Sequence, residues 1–176
     1  MPMAALAGET DFDGWRKAAR AFRESGVPPA EARFVVDGGA QAGLFDEASP
    51  APGPVSAPFS VPRSFVETAQ AAILHRSDDR FDLLYRLLWR LREEPELMNV
   101  ASDRDVAEAL ERAKNVSRAS HKMKAFVRFR QVEDEQGEAW VAWFEPAHRV
   151  VEMTAPFFAR RFASMRWSIL TPDGSA

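Results

Sequence analysis

Apolar side chains recur at helical spacing most regularly between residues 79 and 95. There Phe81, Leu84, Tyr85, Leu88 and Leu91 share one face, and the pattern stops before Pro95. "TDFDGWRKAARAFRESG" (10–26) repeats the period with Trp15, Ala18, Ala19 and Phe22. Thr10 or Asp11 is its cap and Gly26 its stop. "SDRDVAEALERAKNVSRASHKM" (102–123) has a capping signal from Ser102 to Asp105 and an apolar face of Val106, Ala109, Leu110, Ala113 and Val116. "RSFVETAQAAILHR" (63–76) follows Pro62, with Ser64 as cap and Glu67 three residues on. "APFFARRFASM" (155–165) reads as a short amphipathic helix with proline near its first turn.

Elsewhere the period is two. In "KAFVRFR" (124–130), Ala125, Val127 and Phe129 fall on one side, and Lys124, Phe126, Arg128 and Arg130 on the other. The polar "EDEQGE" and the strand-like "AWVAWFEP" follow, which predicts a hairpin over 124–145 with a loop of about six residues. "RWSIL" is a last strand and "TPDGSA" a tail. Residues 3–7 and "ARFVVDGG" (32–39, ending in a Gly-Gly turn) read as strands around the first helix, a small βαβ unit.

These elements predict an α+β fold. Several helices pack on a small mixed or antiparallel sheet that includes the 124–145 hairpin and the 166–170 strand, and the βαβ unit joins or flanks that sheet. Residues 46–62 hold five prolines and read as a loop or linker. Residues 1–45 are too few for an independent core, so the expected organisation is one domain over 1–176. Within it lie the βαβ subregion 1–45, the proline-rich segment 46–62 and a helical and hairpin core 63–176.

Composition narrows the chemistry. With no cysteine, disulfides, zinc–thiolate sites, iron–sulfur clusters and thiol catalysis drop out. There is no G-x-G-x-x-G after the first strand. His75, His121 and His148 lack metal-ligand spacing, so no cofactor or metal is expected. No apolar run approaches a membrane span, and the N-terminus lacks a signal-peptide pattern, so the expected location is the cytoplasm. Aromatics are skewed to 13 Phe and 5 Trp against one Tyr, which core packing explains.

The net charge of −3 gives no global argument for a nucleic-acid partner, but one stretch departs from it. From Arg112 to Arg130 there are seven Lys or Arg and no Asp or Glu. On a helix reaching about His121, Lys114, Arg118 and Lys122 form a stripe at i, i+4, i+8, where like charges cost a few tenths of a kcal/mol per pair. The strand pattern then puts Lys124, Arg128 and Arg130 on one sheet face around Phe126. Cations for phosphates and a ring for stacking are what a single-stranded nucleic acid binds. The candidate interface is therefore Lys114, Arg118, His121, Lys122, Lys124, Phe126, Arg128 and Arg130. An ordinary surface accounts for the same residues. Cations suit a helix C-terminus, Glu108–Arg112 and Glu111–Lys114 are helix pairs, Glu138 or Glu145 can meet Arg128 and Arg130 across the hairpin, and a helix can cover Phe126.

Other candidates are sparser. Glu145 and His148 follow a strand end, where an acid/base pair can sit. Asp78 and Asp79, near His75, read as caps. Ser117 and Ser120 near His121 lack a nucleophile elbow. Arg160 and Arg161 extend a basic surface or pair with Glu152.

The stretches "TDFDGWRKAARAF", "FDLLYRLLWRL", "HKMKAFVRFR", "AWFEPAHRVVE" and "FFARRFASMRWSILTPD" span nearly the whole chain. Together and in this order, they resemble the uncharacterised domain N-terminal to the glycosylase domain in fused bacterial proteins of the X-type uracil-DNA glycosylase family. Stand-alone copies are described as DNA metabolism or repair proteins beside a radical SAM partner. In that family an acidic residue often precedes "HKM" and a second histidine often follows. Here the neighbourhoods read "RASHKM" and "HKMKAF", and Lys124 adds charge at the same place. The resemblance implies a place in DNA repair without a known chemistry. The expectation is an accessory domain that binds DNA, single-stranded or uracil-containing, through the basic helix-end and strand face and supports a uracil-DNA glycosylase. The alternatives are a protein-interaction module for the glycosylase or the radical SAM partner, and a DNA-modifying enzyme with His121, Glu145 and His148 in acid/base roles. No complete catalytic constellation is visible, so the enzyme ranks last.

Overall fold

The computed structural model describes residues 1–36 and 60–176. The Gly-Gly turn and most of the proline-rich segment lie outside the described residues. The fold is α+β, and the chain divides into two compact units: Met1–Ile73 with Ser77–Ala113, and Leu74–Arg76 with Lys114–Ala176.

The first unit opens with the βαβ arrangement. Strand β1 (Met3–Leu6) pairs parallel with β2 (Arg33–Val36), and helix α1 (Phe12–Glu24) connects them. They form a two-stranded sheet of their own, not an extension of the other sheet. Asp11 caps α1 by accepting from the Gly14 amide at 2.8 Å, and the helix stops before Gly26, whose φ of +73° suits glycine. Trp15, Ala19 and Phe22 are buried as their spacing predicts. Helix α2 spans Arg63–Ala72 and α3 Arg80–Arg90. The rings of Phe22, Phe34 and Tyr85 meet at 5.5–6.2 Å, and the Tyr85 hydroxyl donates to the Val27 carbonyl at 2.7 Å. Burial pushes that phenol's pKa up.

Two expected caps move. Pro62 precedes α2 without a side-chain bond. Ser64 lies inside the helix, where its carbonyl accepts from Thr68, and Glu67 pairs with Arg63 at 2.7 Å. At helix α4 (Arg104–Phe126), Asp103 rather than Ser102 accepts from the amides of Asp105 and Val106. Arg90 grips the same carboxylate through both terminal nitrogens at 2.8 and 3.1 Å, which holds its pKa down. Leu110, expected on the apolar face, is exposed, whereas Arg112 is buried between Asp79 and Glu108 at 2.9 Å each.

In the second unit the predicted strand at 124–130 is corrected. Lys124, Ala125 and Phe126 are the last turn of α4, and β3 begins only at Arg130. The reason is packing: Val116, Ala119, Met123 and Val127, three or four residues apart, are all buried in one cluster. The apparent alternation arises because Val127 closes the helix and Phe129 enters the same core from extended chain. Strand β3 (Arg130–Asp134) pairs antiparallel with β4 (Gly137–Trp143), with Asp134 opposite Gly137. The loop is therefore Glu135 and Gln136, not six residues. The ladder continues through polar exposed positions, and Gly137 (φ +97°) turns it.

Strand β5 (Trp167–Thr171) runs parallel to β4. The expected tail is β6 (Gly174–Ser175), antiparallel to β5, with Ile169 and Ala176 exchanging backbone hydrogen bonds at 2.8 and 3.0 Å. The sheet is thus mixed, in the order β3-β4-β5-β6. Helix α5 (Val151–Arg161) starts before its expected limit, so Pro156 lies inside it. Beneath α4 and α5, Phe129 meets Phe162, Trp167 and Phe158 at 5.2–6.2 Å, beside Ala142 and Ile169.

One polar anchor in the first unit is testable. Arg80 is 2% exposed and donates to the carbonyls of Ile73, Ser77 and Glu9 at 2.9–3.0 Å, while also pairing with the Glu9 carboxylate. Arg80→Met strands those carbonyls and should lower the unfolding free energy by about 3 kcal/mol. Urea unfolding measures this, and a loss under about 1 kcal/mol would contradict the anchor.

Candidate nucleic-acid interface

All eight candidate residues lie in the second unit, and all are exposed. Because helical order persists to Phe126, five of them fall on one helix face. At 100° per residue, Lys114, Arg118, His121, Lys122 and Lys124 spread over the side opposite Val116, Ala119 and Met123. Lys114 and Lys122 stand about 12 Å apart along the axis. The helix therefore does what was expected of helix and strand together.

Lys124 is corrected from strand to helix, and its ammonium sits 5.4 Å from the centre of the Phe157 ring on α5. Arg160 and Arg161 follow one turn beyond that ring, exposed at the C-terminus of α5. Phe126 is corrected in the same way. It lies on the helix, not between arginines on a sheet face, and no helix covers it, since it is 62% exposed. Arg128 belongs to no strand. Its guanidinium donates to the carbonyls of Ala125 and Val127 at 2.8 and 3.0 Å, closing the C-terminal end of α4. Arg130 opens β3 opposite Val141. Neither Arg128 nor Arg130 pairs with Glu138 or Glu145, whose carboxylates accept from the indoles of Trp140 and Trp143 at 3.0 and 3.1 Å. Among the described residues no carboxylate forms an ion pair with Lys122, Lys124, Arg128 or Arg130.

The division into units also resolves the charge. The second unit carries eleven Lys or Arg against seven Asp or Glu, net +4. The first carries twelve against nineteen, net −7, and the two sum to the chain's −3. Arg112, counted with the basic stretch in the sequence, falls in the acidic unit and is consumed by Asp79 and Glu108. The Asp79 carboxyl is held below its usual pKa by that guanidinium.

The acid/base candidates do not assemble. Glu145 is held by Trp143, and His121 lies on the open face of α4. His148 instead stacks on His75 with ring centres 4.1 Å apart, and its Nδ1 accepts from the Arg76 amide at 3.3 Å. Arg76 also grips Asp173 at 2.6 and 2.9 Å and the carbonyls of Pro146 and Ala147, and Arg149 donates to the His75 carbonyl. This knot ties residues 74–76 to the ends of β4 and β5, and neither period nor spacing in the sequence marked it. Burial, then the charges of His75, Arg76 and Arg149, push the His148 pKa down to about 4. Among the described residues no group of three His, Asp or Glu side chains offers a metal site, and no helix is long and apolar enough to cross a membrane.

Residues 78–175 match the family described as a domain of unknown function, DUF4130. The match takes in every candidate interface residue and four of the five stretches that carry the sequence resemblance, leaving out "TDFDGWRKAARAF". No curated protein and no solved structure matches the chain.

The histidine stack sets a pH dependence. Above pH 6.5, His148 is neutral whether the chain is folded or unfolded. Between 6.5 and about 4 the unfolded chain takes up a proton that the folded chain refuses, so stability should decline as pH falls through that window and level off below it. The depressed carboxylates Asp79 and Asp103 act only lower, below their ordinary range near 3.8. His148→Asn keeps an acceptor for the Arg76 amide and should flatten the decline in urea midpoints between pH 7 and 4.5. An unchanged slope would contradict this assignment.

Proposed function

The chain belongs to the DUF4130 family, and from that premise we propose that it is a cytoplasmic DNA-repair accessory module that docks on nucleic acid through α4. One observation carries the reading: Lys114, Arg118, His121, Lys122 and Lys124 share an exposed helix face on a unit of net charge +4. A solvated helix face ordinarily mixes signs, because like charges at i, i+4 repel. Lys122 and Lys124 stand on this face with no carboxylate paired to them among the described residues, and a polyanion supplies the opposite charge. Arg128 and Arg130 prolong the cationic row beyond the helix end, and Arg160 and Arg161 extend it on α5. The repair context, with a uracil-DNA glycosylase as the activity supported, rests on the sequence resemblance.

Exposed Val132, Trp143 and Leu170 favour a second reading, a contact surface for a glycosylase or radical SAM protein. Salt separates the two. A phosphate-binding face loses affinity steeply as salt rises, whereas an apolar contact does not.

Fluorescence anisotropy with labelled single- and double-stranded oligonucleotides, with and without uracil, tests the proposal at several salt concentrations. The expected result is roughly micromolar affinity at low salt with a steep salt slope. Lys122→Glu combined with Lys124→Glu should weaken binding at least about 10-fold and flatten the logarithmic slope by about 1.5, with little change in melting temperature. Undiminished binding by this folded variant, or no binding by the parent chain at low salt, would overturn the proposal.

A further inference from the structure

The outer face of the four-stranded sheet carries a second chemistry next to the cationic helix. Side chains alternate across a strand, so the register assigns the faces. Ala142 pairs with Ile169, both in the core, and Trp140 pairs with Trp167 on that same side. The opposite side holds Arg130 and Val132 of β3, Ala139, Val141 and Trp143 of β4, and Ser168 and Leu170 of β5. Ala139 is buried there, but Trp143 is 60% exposed, and Val132 and Leu170 are each 41% exposed. This indole stands at the C-terminal end of β4 and is held in place, because its N–H donates to Glu145 at 3.1 Å.

Resting on the nucleic-acid reading above, we propose that this face is a stacking platform for single-stranded nucleic acid, with Trp143 under a base and Arg130 on the adjoining phosphate. Arg130 lies opposite Val141, two residues before Trp143 on the same side, so the two are diagonal neighbours about 7–8 Å apart. That separation suits one nucleotide reaching from ring to cation. Arg130 gives the face a cation for a phosphate. Arg130 continues the row formed by Lys122, Lys124 and Arg128. Of the two carboxylates bordering the face, Asp134 is paired with Arg166 at 2.6 Å, and Glu145 accepts from the indole and keeps its charge. Val132, Val141 and Leu170 supply apolar floor on which a base loses water. A duplex cannot use the platform, because its bases are already stacked. The proposal therefore adds a strand preference to a helix face that would bind any phosphate backbone.

The test compares an oligothymidylate with a duplex of equal length against the parent chain, Trp143→Ala, Trp143→Phe and Arg130→Ser. Trp143→Ala should lose about 10- to 100-fold on the single strand and under about 3-fold on the duplex. Trp143→Phe should recover most of the loss, and Arg130→Ser should lower the single-strand salt slope by about 0.7. Quenching of tryptophan emission by the oligothymidylate should vanish in Trp143→Phe while affinity persists, a readout that a purely structural role would not move. Full single-strand binding by Trp143→Ala, or equal losses on strand and duplex, would overturn the platform and leave the helix-face reading standing. No binding of either oligonucleotide by the parent chain would overturn both.

Discussion

Helix α4 is held in register by a buried row, Val116, Ala119, Met123 and Val127, and the surface chemistry of the second unit follows from it. Val116, Met123 and Val127 each contribute roughly 1.5–3 kcal/mol by leaving water, so turning the helix about its axis or ending it a turn early would cost more than charge repulsion on the far side. The helix therefore persists through Phe126 despite its crowded cations. The thioether of Met123 meets the hydroxyl of Thr154 on α5 at 3.1 Å, and Phe129 enters among Phe158, Phe162 and Trp167 immediately after the helix ends. Between these two anchors the chain must turn, and Arg128 covers the carbonyls that the turn exposes.

The two units handle charge in opposite ways. In the first, several cations are drawn inward or paired: Arg80 on three carbonyls and Glu9, Arg90 on Asp103, Arg112 on Asp79 and Glu108. Each joins segments distant in sequence, so these arginines serve the fold. In the second, Arg76 and Arg166 play that part, and Lys122, Lys124, Arg128 and Arg130 are exposed. A chain of modest negative charge can thus present a positive surface, because its acids are concentrated in the other unit.

The histidines show how tertiary packing reassigns chemistry. His148 follows a strand and Glu145, which in sequence suggests a proton-transfer pair. Packing gives Glu145 to an indole and His148 to His75, and the resulting stack is structural. The same packing leaves Trp143 in the open while its neighbours Ala142 and Phe144 turn inward. Hydropathy alone cannot distinguish these tryptophans, since Trp140, Trp143 and Trp167 look alike until register assigns each a side.

The sequence by itself determined the α+β class, the βαβ start, the helices at α1 and α3 and the residues that form the basic surface. Each rests on local physics: apolar period, an Asp or Gly at a helix end, or an unbroken run of like charge. Only the tertiary structure decided where α4 stops, that Asp103 and not Ser102 caps it, that Arg112 is buried, and that the last residues form a strand. These outcomes depend on partners far along the chain. Met123 and Val127 need the sheet and α5 to be buried, Arg112 needs Asp79, and Gly174–Ser175 needs the edge of β5. A period-two pattern of seven residues was outweighed by a period-3.6 row of four, because burial is settled by what lies opposite and not by neighbours in sequence.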